Sequence, residues 1–492
     1  MGAEVFSPAD TQRFLAPLAW LGAGWAKNVL LTVNAQGQWQ DVVPEAPSDM
    51  QRDATRLFGP VIPGLVNAHS HAFQRAIAGL TERRGSSAQD DFWSWRERMY
   101  SAANRITPQQ LEAIATQLYV ELLAGGYTQV CEFHYLHNDV SGKAYADPME
   151  MSLALARAAQ RAGIGLTLLP TLYMRSGFTA QGLREDQRRF ASTVEGVLRI
   201  AEVFNRLEID QRVNAGVAVH SLRAVGETAL NEVAAAMKLS GGAVHIHIAE
   251  QMQEVQDCIA WSGQRPVEWL LSHAPVDARW NLVHATHTTA AELYGVVQSG
   301  ASIVICPTTE ANLGDGVFDL PGHAGQGGRW SIGSDSHVSR HAMEELRLLE
   351  YSQRLTLRQR NVAGLAGSSA STATPDLMRD TSGRQEALSA ASPTATAAAL
   401  FNGALAGGQA ATQRPLGGIT PGCRADFLVV DSASPSLLGV PSDYLLDVMV
   451  FSSPPARFSE VYVAGRRVSA FESAPEIAED FSRAISALWG AA

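Results

Sequence analysis

From Val61 onward the sequence alternates between short apolar runs rich in β-branched residues and longer stretches of helical periodicity. Eight such runs can be counted, at 61–71, 128–137, 164–174, 212–221, 243–250, 280–287, 302–309 and 329–337. This is the pattern of successive strand–helix units around a parallel sheet. The intervening segments, PQQLEAIATQLYVELLAGG and ALNEVAAAMKLSGG among them, are amphipathic and several end in glycine, as a helix C-cap requires. Eight units fit an α/β fold, a closed (β/α)8 barrel of the TIM type, which builds its sites at the carboxyl ends of the strands.

At 492 residues the chain is too long for that barrel alone. Residues 1 to about 60 contain NVLLTV and QWQDVV, joined by the turn sequence NAQG, and near the other end GITPGCRADFLVVD and SEVYVAGRRVS read as strands with Gly-centred turns. The expected organisation is a barrel over residues 61–412, with 1–60 and 413–492 forming one small β-sandwich domain that ends in a helix. The Ala- and Ser-rich stretch 363–374 reads as flexible, and SPTATAAALFNGALAGGQAA as a helix leading back to the small domain.

Charge and cysteine usage narrow the function classes. A net charge of −11 argues against a nucleic-acid or anionic-membrane partner, while leaving room for a local basic pocket. Cys131, Cys258, Cys306 and Cys423 stand far apart without redox or metal spacing, as buried thiols in a reducing compartment would. No basic start followed by an apolar segment opens the chain, and no run approaches a membrane span, so a cytoplasmic location is expected.

The first run ends in His69 and His71. Residues i and i+2 share one face of a strand, so the two rings can converge on one cation at its carboxyl end. The fifth run, AVHIHIAEQ, offers His245 and His247, the latter nearer the strand end and the better ligand, the former a barrel-interior residue. Glu250 follows three residues later. The sixth supplies His284 and His287 in VHATH, and the eighth places Asp335 in GSDSH. His69, His71, His247 and Asp335 together make a site of three nitrogens and one oxygen, suited to a borderline divalent cation. Zinc is the expected metal, with iron, cobalt or manganese compatible with the same donors.

The ordered pattern of His-x-His on the first strand, His on the fifth, His on the sixth and Asp on the eighth resembles the amidohydrolase superfamily, as do the flanking PG and PGCRADFLVVD. Many members hold two metals bridged by a carboxylated strand-four lysine. Here that strand carries His220, and none of the three lysines, Lys27, Lys143 and Lys238, falls at a strand end. One zinc per subunit is therefore expected. The resemblance implies that Glu250 shuttles a proton to the substrate nitrogen, that His284 orients and helps deprotonate the water, and that Asp335 is both ligand and proton acceptor.

A closer similarity links AFQRAIAGLTERRGSSAQDDFWSWRERMY, CEFHYLHND, VHSLRAV, HIHIAEQ, VHATH, CPTTEANLGDG and GSDSH to the N-formimidoyl-L-glutamate deiminases of histidine breakdown. It implies hydrolysis of a C=N bond in a small acidic amidine by a homodimer. Gln74, Arg96 and Tyr135 would hold one end of the glutamate, and His220 and Arg223 the other. Arginine forks suit carboxylates. Glu310 and Asp315, in a Gly-rich segment read as a loop, could face the cationic formimidoyl group. Competing readings are a deaminase of a cyclic amidine of guanine or cytosine type, an imidazolonepropionase, and a catalytically silent relative.

Overall fold

The computed structural model describes residues 11–84, 90–206, 212–366 and 395–490. Most of the stretch 363–374 lies outside them; its first residues close a short helix, Val362–Ala366.

Eight parallel strands pair in sequence order: Leu65–Ser70, Tyr127–His134, Gly165–Leu172, Val217–Ser221, Val244–Ile248, Trp280–His284, Ser302–Ile305 and Arg329–Ile332. A short strand, Val213–Ala215, pairs off this path with the third. The ring closes through a parallel bridge between Ser70 and Asp335, where Asp335 N–H donates to His69 O at 3.0 Å and His71 N–H to Asp335 O at 3.3 Å. Gly333 permits this approach, since a Cβ there would stand 2.7 Å from the His69 Cβ. Helices Pro108–Ala124, Glu150–Ala162, Glu227–Ser240 and Ala290–Ser299 cover the barrel, and the last three end on left-handed Gly163, Gly241 and Gly300.

The run 61–71 divides at Gly64. Val61–Pro63 pairs with Phe427–Val430 in a second sheet, and Leu65 begins the barrel strand. That second sheet has eight strands, drawn from the terminal segments and from Val61–Pro63, which the expected boundary had put in the barrel, with Gln12–Trp20, Trp25–Val33 and Trp39–Val43 on one side and Phe427–Val430 and Phe458–Val463 on the other. It encloses its own core, in which Phe427 and Tyr462 stack at 4.3 Å and Phe14 meets both edge-on at 5.3 Å. The final helix, Ala474–Trp489, packs against Pro108–Ala124. No helix among the described residues is long and apolar enough to cross a membrane.

Helix Thr396–Thr412 lies against the first and last barrel strands and so backs the closure. Its final carbonyls lack helical partners and are met from the barrel interior: Ala411 O accepts from His245 Nε2 at 2.8 Å, and Thr412 O from Asn214 Nδ2 at 3.1 Å. His245 is thus an interior residue. Contact is closest at Gly407, where a Cβ would fall 1.7 Å from the Trp330 carbonyl oxygen. Because that oxygen belongs to a barrel strand and cannot yield, Gly407→Ala is expected to cost about 1–3 kcal/mol. Thermal unfolding checks this, and an unchanged Tm would contradict the contact.

Candidate active site

The strands deliver three imidazoles and a carboxylate to one point. His69 Nε2 stands 2.9 Å from His247 Nε2 and 3.4 Å from Asp335 Oδ1, and His71 Nε2 lies 3.3 Å from the same oxygen. His69, His71 and His247 form one group of donors within 4.8 Å, and His69, Asp335 and His284 an overlapping one. Backbone carbonyls set two of the rings: His71 Nδ1 donates to Phe133 O at 2.9 Å and His247 Nδ1 to His220 O at 3.0 Å. A neutral imidazole protonated at Nδ1 presents a lone pair at Nε2. Burial, above all, holds His69, His71 and His247 below the usual histidine range. Neutral rings with fixed lone pairs beside a carboxylate fit a divalent cation.

Beside the cluster stand Glu250 and His284. His284 Nε2 is 3.7 Å from Glu250 Oε1 and 3.8 Å from Asp335 Oδ2, and its Nδ1 faces Glu310 Oε1 at 3.2 Å. Burial, reinforced by the charge of Asp335, pushes Glu250 up to about 7 against the pull of His284. For His284 burial favours the neutral ring, but Glu250, Glu310 and Asp335 outweigh it and push the imidazole up to about 10. A divalent cation on the neighbouring ligands would lower both. The backbone is held in the left-handed region at Ala249 (φ 52°), His284 (φ 68°), Ala285 (φ 49°) and Asp335 (φ 47°), uncommon for residues other than glycine.

These groups open onto a cavity whose wall carries the five residues expected to hold the two ends of the substrate: Gln74, Arg96, Tyr135, His220 and Arg223. His69 lies just behind its surface, fully buried. Arg96 projects from helix Phe92–Ala103, which Asp91 caps by accepting the N–H groups of Trp93 and Ser94. Its guanidinium lies 4.3 Å from the Trp93 ring centre, and that of Arg223 lies 5.8 Å from the same ring. The nearest carboxylate to Arg223 is Glu254, at 3.8 Å, and the Nε atoms of both arginines are buried without a partner. Two guanidiniums this close, with donors unused, call for an anion.

Other placements were less foreseeable. The segment after the seventh strand is a helix, Pro307–Leu313, begun by its proline and ended at Gly314, and it turns Glu310 onto His284 and the Cys306 N–H (2.9 Å) instead of into the cavity. Asp315 also lies outside the cavity wall, bonded to Gln251. His287 donates its backbone N–H to Ala249 and leaves His284 alone at the site. Glu132, whose position opposite Ser70 depends on strand register, accepts from Ser70 Oγ (2.7 Å), Ala72 N (2.6 Å) and Tyr119 OH (3.2 Å), gripping the chain on both sides of His71. Tyr100, Tyr173 and Gln187 also went unrecognised. Tyr100 could have been found, being one turn beyond Arg96 on the same helical face.

The amidohydrolase family model matches residues 61–468. Formimidoylglutamate deiminase of Pseudomonas aeruginosa is 46% identical over 459 residues, covering 92% of this chain and 93% of that protein. A 5-methylthioadenosine/S-adenosylhomocysteine deaminase of Halobacterium salinarum is 27% identical, covering 77% and 75% of the two chains. Among solved structures, an amidohydrolase from Brucella melitensis superposes with a TM-score of 0.85 at 41% identity, covering 97% of this chain and 99% of the other. Barrel, strand-end cluster and these similarities agree, and the chain belongs to the amidohydrolase family.

Proposed function

We propose that this chain hydrolyses the C=N bond of N-formimidoyl-L-glutamate to N-formyl-L-glutamate and ammonia, as a step of histidine breakdown. The observation that carries the reading is the pair of guanidiniums, Arg96 and Arg223, with buried unpartnered Nε atoms in the same cavity as the His/Asp cluster. A heterocycle deaminase would instead want stacking and amide readout at that wall. The similarity to the Pseudomonas aeruginosa enzyme supports the same substrate. The silent reading is disfavoured by the presence of all four candidate ligands together with Glu250 and His284.

His69, His71, His247 and Asp335 would hold one divalent cation, zinc being the best match to three imidazoles and a carboxylate. When bound, it supplies water acidified to a pKa of ~7 and so a nucleophile at neutral pH. The chain does the rest. His284, steadied by Glu310, orients the water and takes its proton, with Asp335 as a second acceptor. Glu250 carries the proton to the nitrogen that leaves as ammonia. Arg96 and Arg223 bind the two carboxylates, helped by Tyr135, His220 and Gln74. Gln74 donates from Nε2 to Tyr135 OH at 3.2 Å and leaves Oε1 unpartnered. Turned over, its amide accepts from that hydroxyl and donates into the cavity. The reaction is assigned to the barrel of residues 61–412, carried by the terminal segments 1–60 and 413–492, in a cytoplasmic homodimer.

Ammonia release by zinc-loaded protein from N-formimidoyl-L-glutamate, guanine and cytosine, with consumption of imidazolone propionate followed separately, tests the assignment. Turnover of the first alone is expected, and its absence would defeat the reading. His284→Ala and Glu250→Ala should keep zinc, measured by mass spectrometry, yet lose roughly 10²–10⁴-fold in kcat. Near-normal kcat in either would remove that residue from the proton path. Loss of a charge-assisted contact worth about 1.5–3 kcal/mol should raise KM of Arg96→Met about 10- to 100-fold, and unchanged kinetics would refute the clamp.

A further inference from the structure

Two tyrosines line the cavity beside the arginines, Tyr100 on helix Phe92–Ala103 and Tyr173 just past the third barrel strand. Their hydroxyls are 3.5 Å apart, and both meet the amide of Gln187, which comes from the short turn Glu185–Phe190 and is 1% exposed. That amide has one possible orientation. Its Oε1 accepts the backbone N–H of Arg184 at 3.1 Å, and since a backbone N–H only donates, the nitrogen must face the phenols. Nε2 donates to Tyr173 OH at 3.0 Å and to Tyr100 OH at 3.2 Å.

The hydrogens then exceed the acceptors. Two amide hydrogens and two phenolic hydrogens meet at two phenol oxygens. Gln187 spends both of its hydrogens on those oxygens, and one phenol can donate to the other across 3.5 Å. The remaining phenolic hydrogen has no acceptor among the described residues, because the hydroxyls have no other hydrogen-bond neighbour there. A donor without a protein acceptor turns to the cavity both rings line, where it is available to an acceptor atom of a ligand. The Arg96 guanidinium lies 5.6 Å from the Tyr100 ring centre, so the donor adjoins a cation. Burial pushes the Tyr173 phenol well above its ordinary range, which keeps that hydrogen in place.

We propose that Tyr100 and Tyr173 are specificity-determining residues that donate a hydroxyl hydrogen to the substrate carboxylate held by Arg96, and that Gln187 is the positioning residue that turns them outward. This rests on the acidic-amidine reading above. It adds to the arginines a neutral donor that recognises an acceptor oxygen and rejects a ligand presenting N–H at that point.

The decisive variant is Gln187→Glu, which keeps the shape but replaces a double donor with an acceptor, drawing the phenolic hydrogens onto itself. With N-formimidoyl-L-glutamate, Gln187→Glu and the double variant Tyr100→Phe/Tyr173→Phe should each raise KM about 10- to 100-fold, the effect of losing a hydrogen bond to a charged group. The loss should fall on KM rather than kcat, with zinc content and Tm retained. Adding the two Phe substitutions to Gln187→Glu should cost little more, because all three act as one unit. Values of KM within twofold of the parent, or fully additive losses, would overturn the proposal. Calorimetric titration of the zinc-loaded protein with glutarate judges the donor separately from the reaction. Weakening of glutarate binding by about tenfold in the double Phe variant supports the donor role even if no ammonia is released, whereas equal binding by parent and variant overturns it.

Discussion

The backbone exchange between the first and last barrel strands is the contact on which everything else depends. Asp335 N–H reaches His69 O and His71 N–H reaches Asp335 O, so the bonds that close the barrel are made by three of the four candidate ligands themselves. Closure and site assembly are one event. The helix Thr396–Thr412 backs this seam from outside, Gly407 against Trp330 and Gly408 against Val66, while Gly333 lets the two strands meet. Small residues occur where backbone must approach backbone, and larger apolar side chains fill the rest of the core.

Around that seam the chain separates two tasks. Strand ends carry the candidate cation ligands and the pair proposed to handle protons, with two rings fixed by carbonyls of neighbouring strands and His284 by Glu310. The excursions beyond the strands carry residues proposed for recognition: helix Phe92–Ala103 brings Arg96 and Tyr100, the turn Glu185–Phe190 brings Gln187, and the segment after Val217–Ser221 brings Arg223. An overall negative chain thus sets two guanidiniums, Arg96 and Arg223, in the wall of one cavity. Such a division lets one chemistry be joined to different substrates by changes confined to the excursions.

What could be read from the sequence followed the periodicities. The eight strands, the helices between them and the face shared by His69 and His71 all rest on local repeats, and all are present, with the first and fourth runs each divided at a glycine. The gathering of Gln74, Arg96, Tyr135, His220 and Arg223 in one cavity was legible only through resemblance, because no local rule brings four distant segments together. Glu132 was invisible since its partnership with Ser70 is set by strand register, and Gln187 because LREDQRRF has no apolar period to place it. A loop would let Glu310 face the cavity, but Pro307 starts a helix there that turns its carboxylate onto His284. The split of the first run at Gly64 reflects a sheet whose partners, such as Phe427–Val430, lie at the far end of the chain.

The left-handed backbone at Ala249, His284, Ala285 and Asp335 bears on how this protein would fail. Each non-glycine residue in that region carries a conformational cost of about 1–2 kcal/mol that only the surrounding packing sustains. A barrel that loosens without unfolding would let these links relax toward ordinary strand geometry, swinging His284 and Asp335 away from their partners. Heat or mild denaturant should therefore silence the chemistry while the helices and most of the core are still intact, so that activity has a lower melting point than the fold.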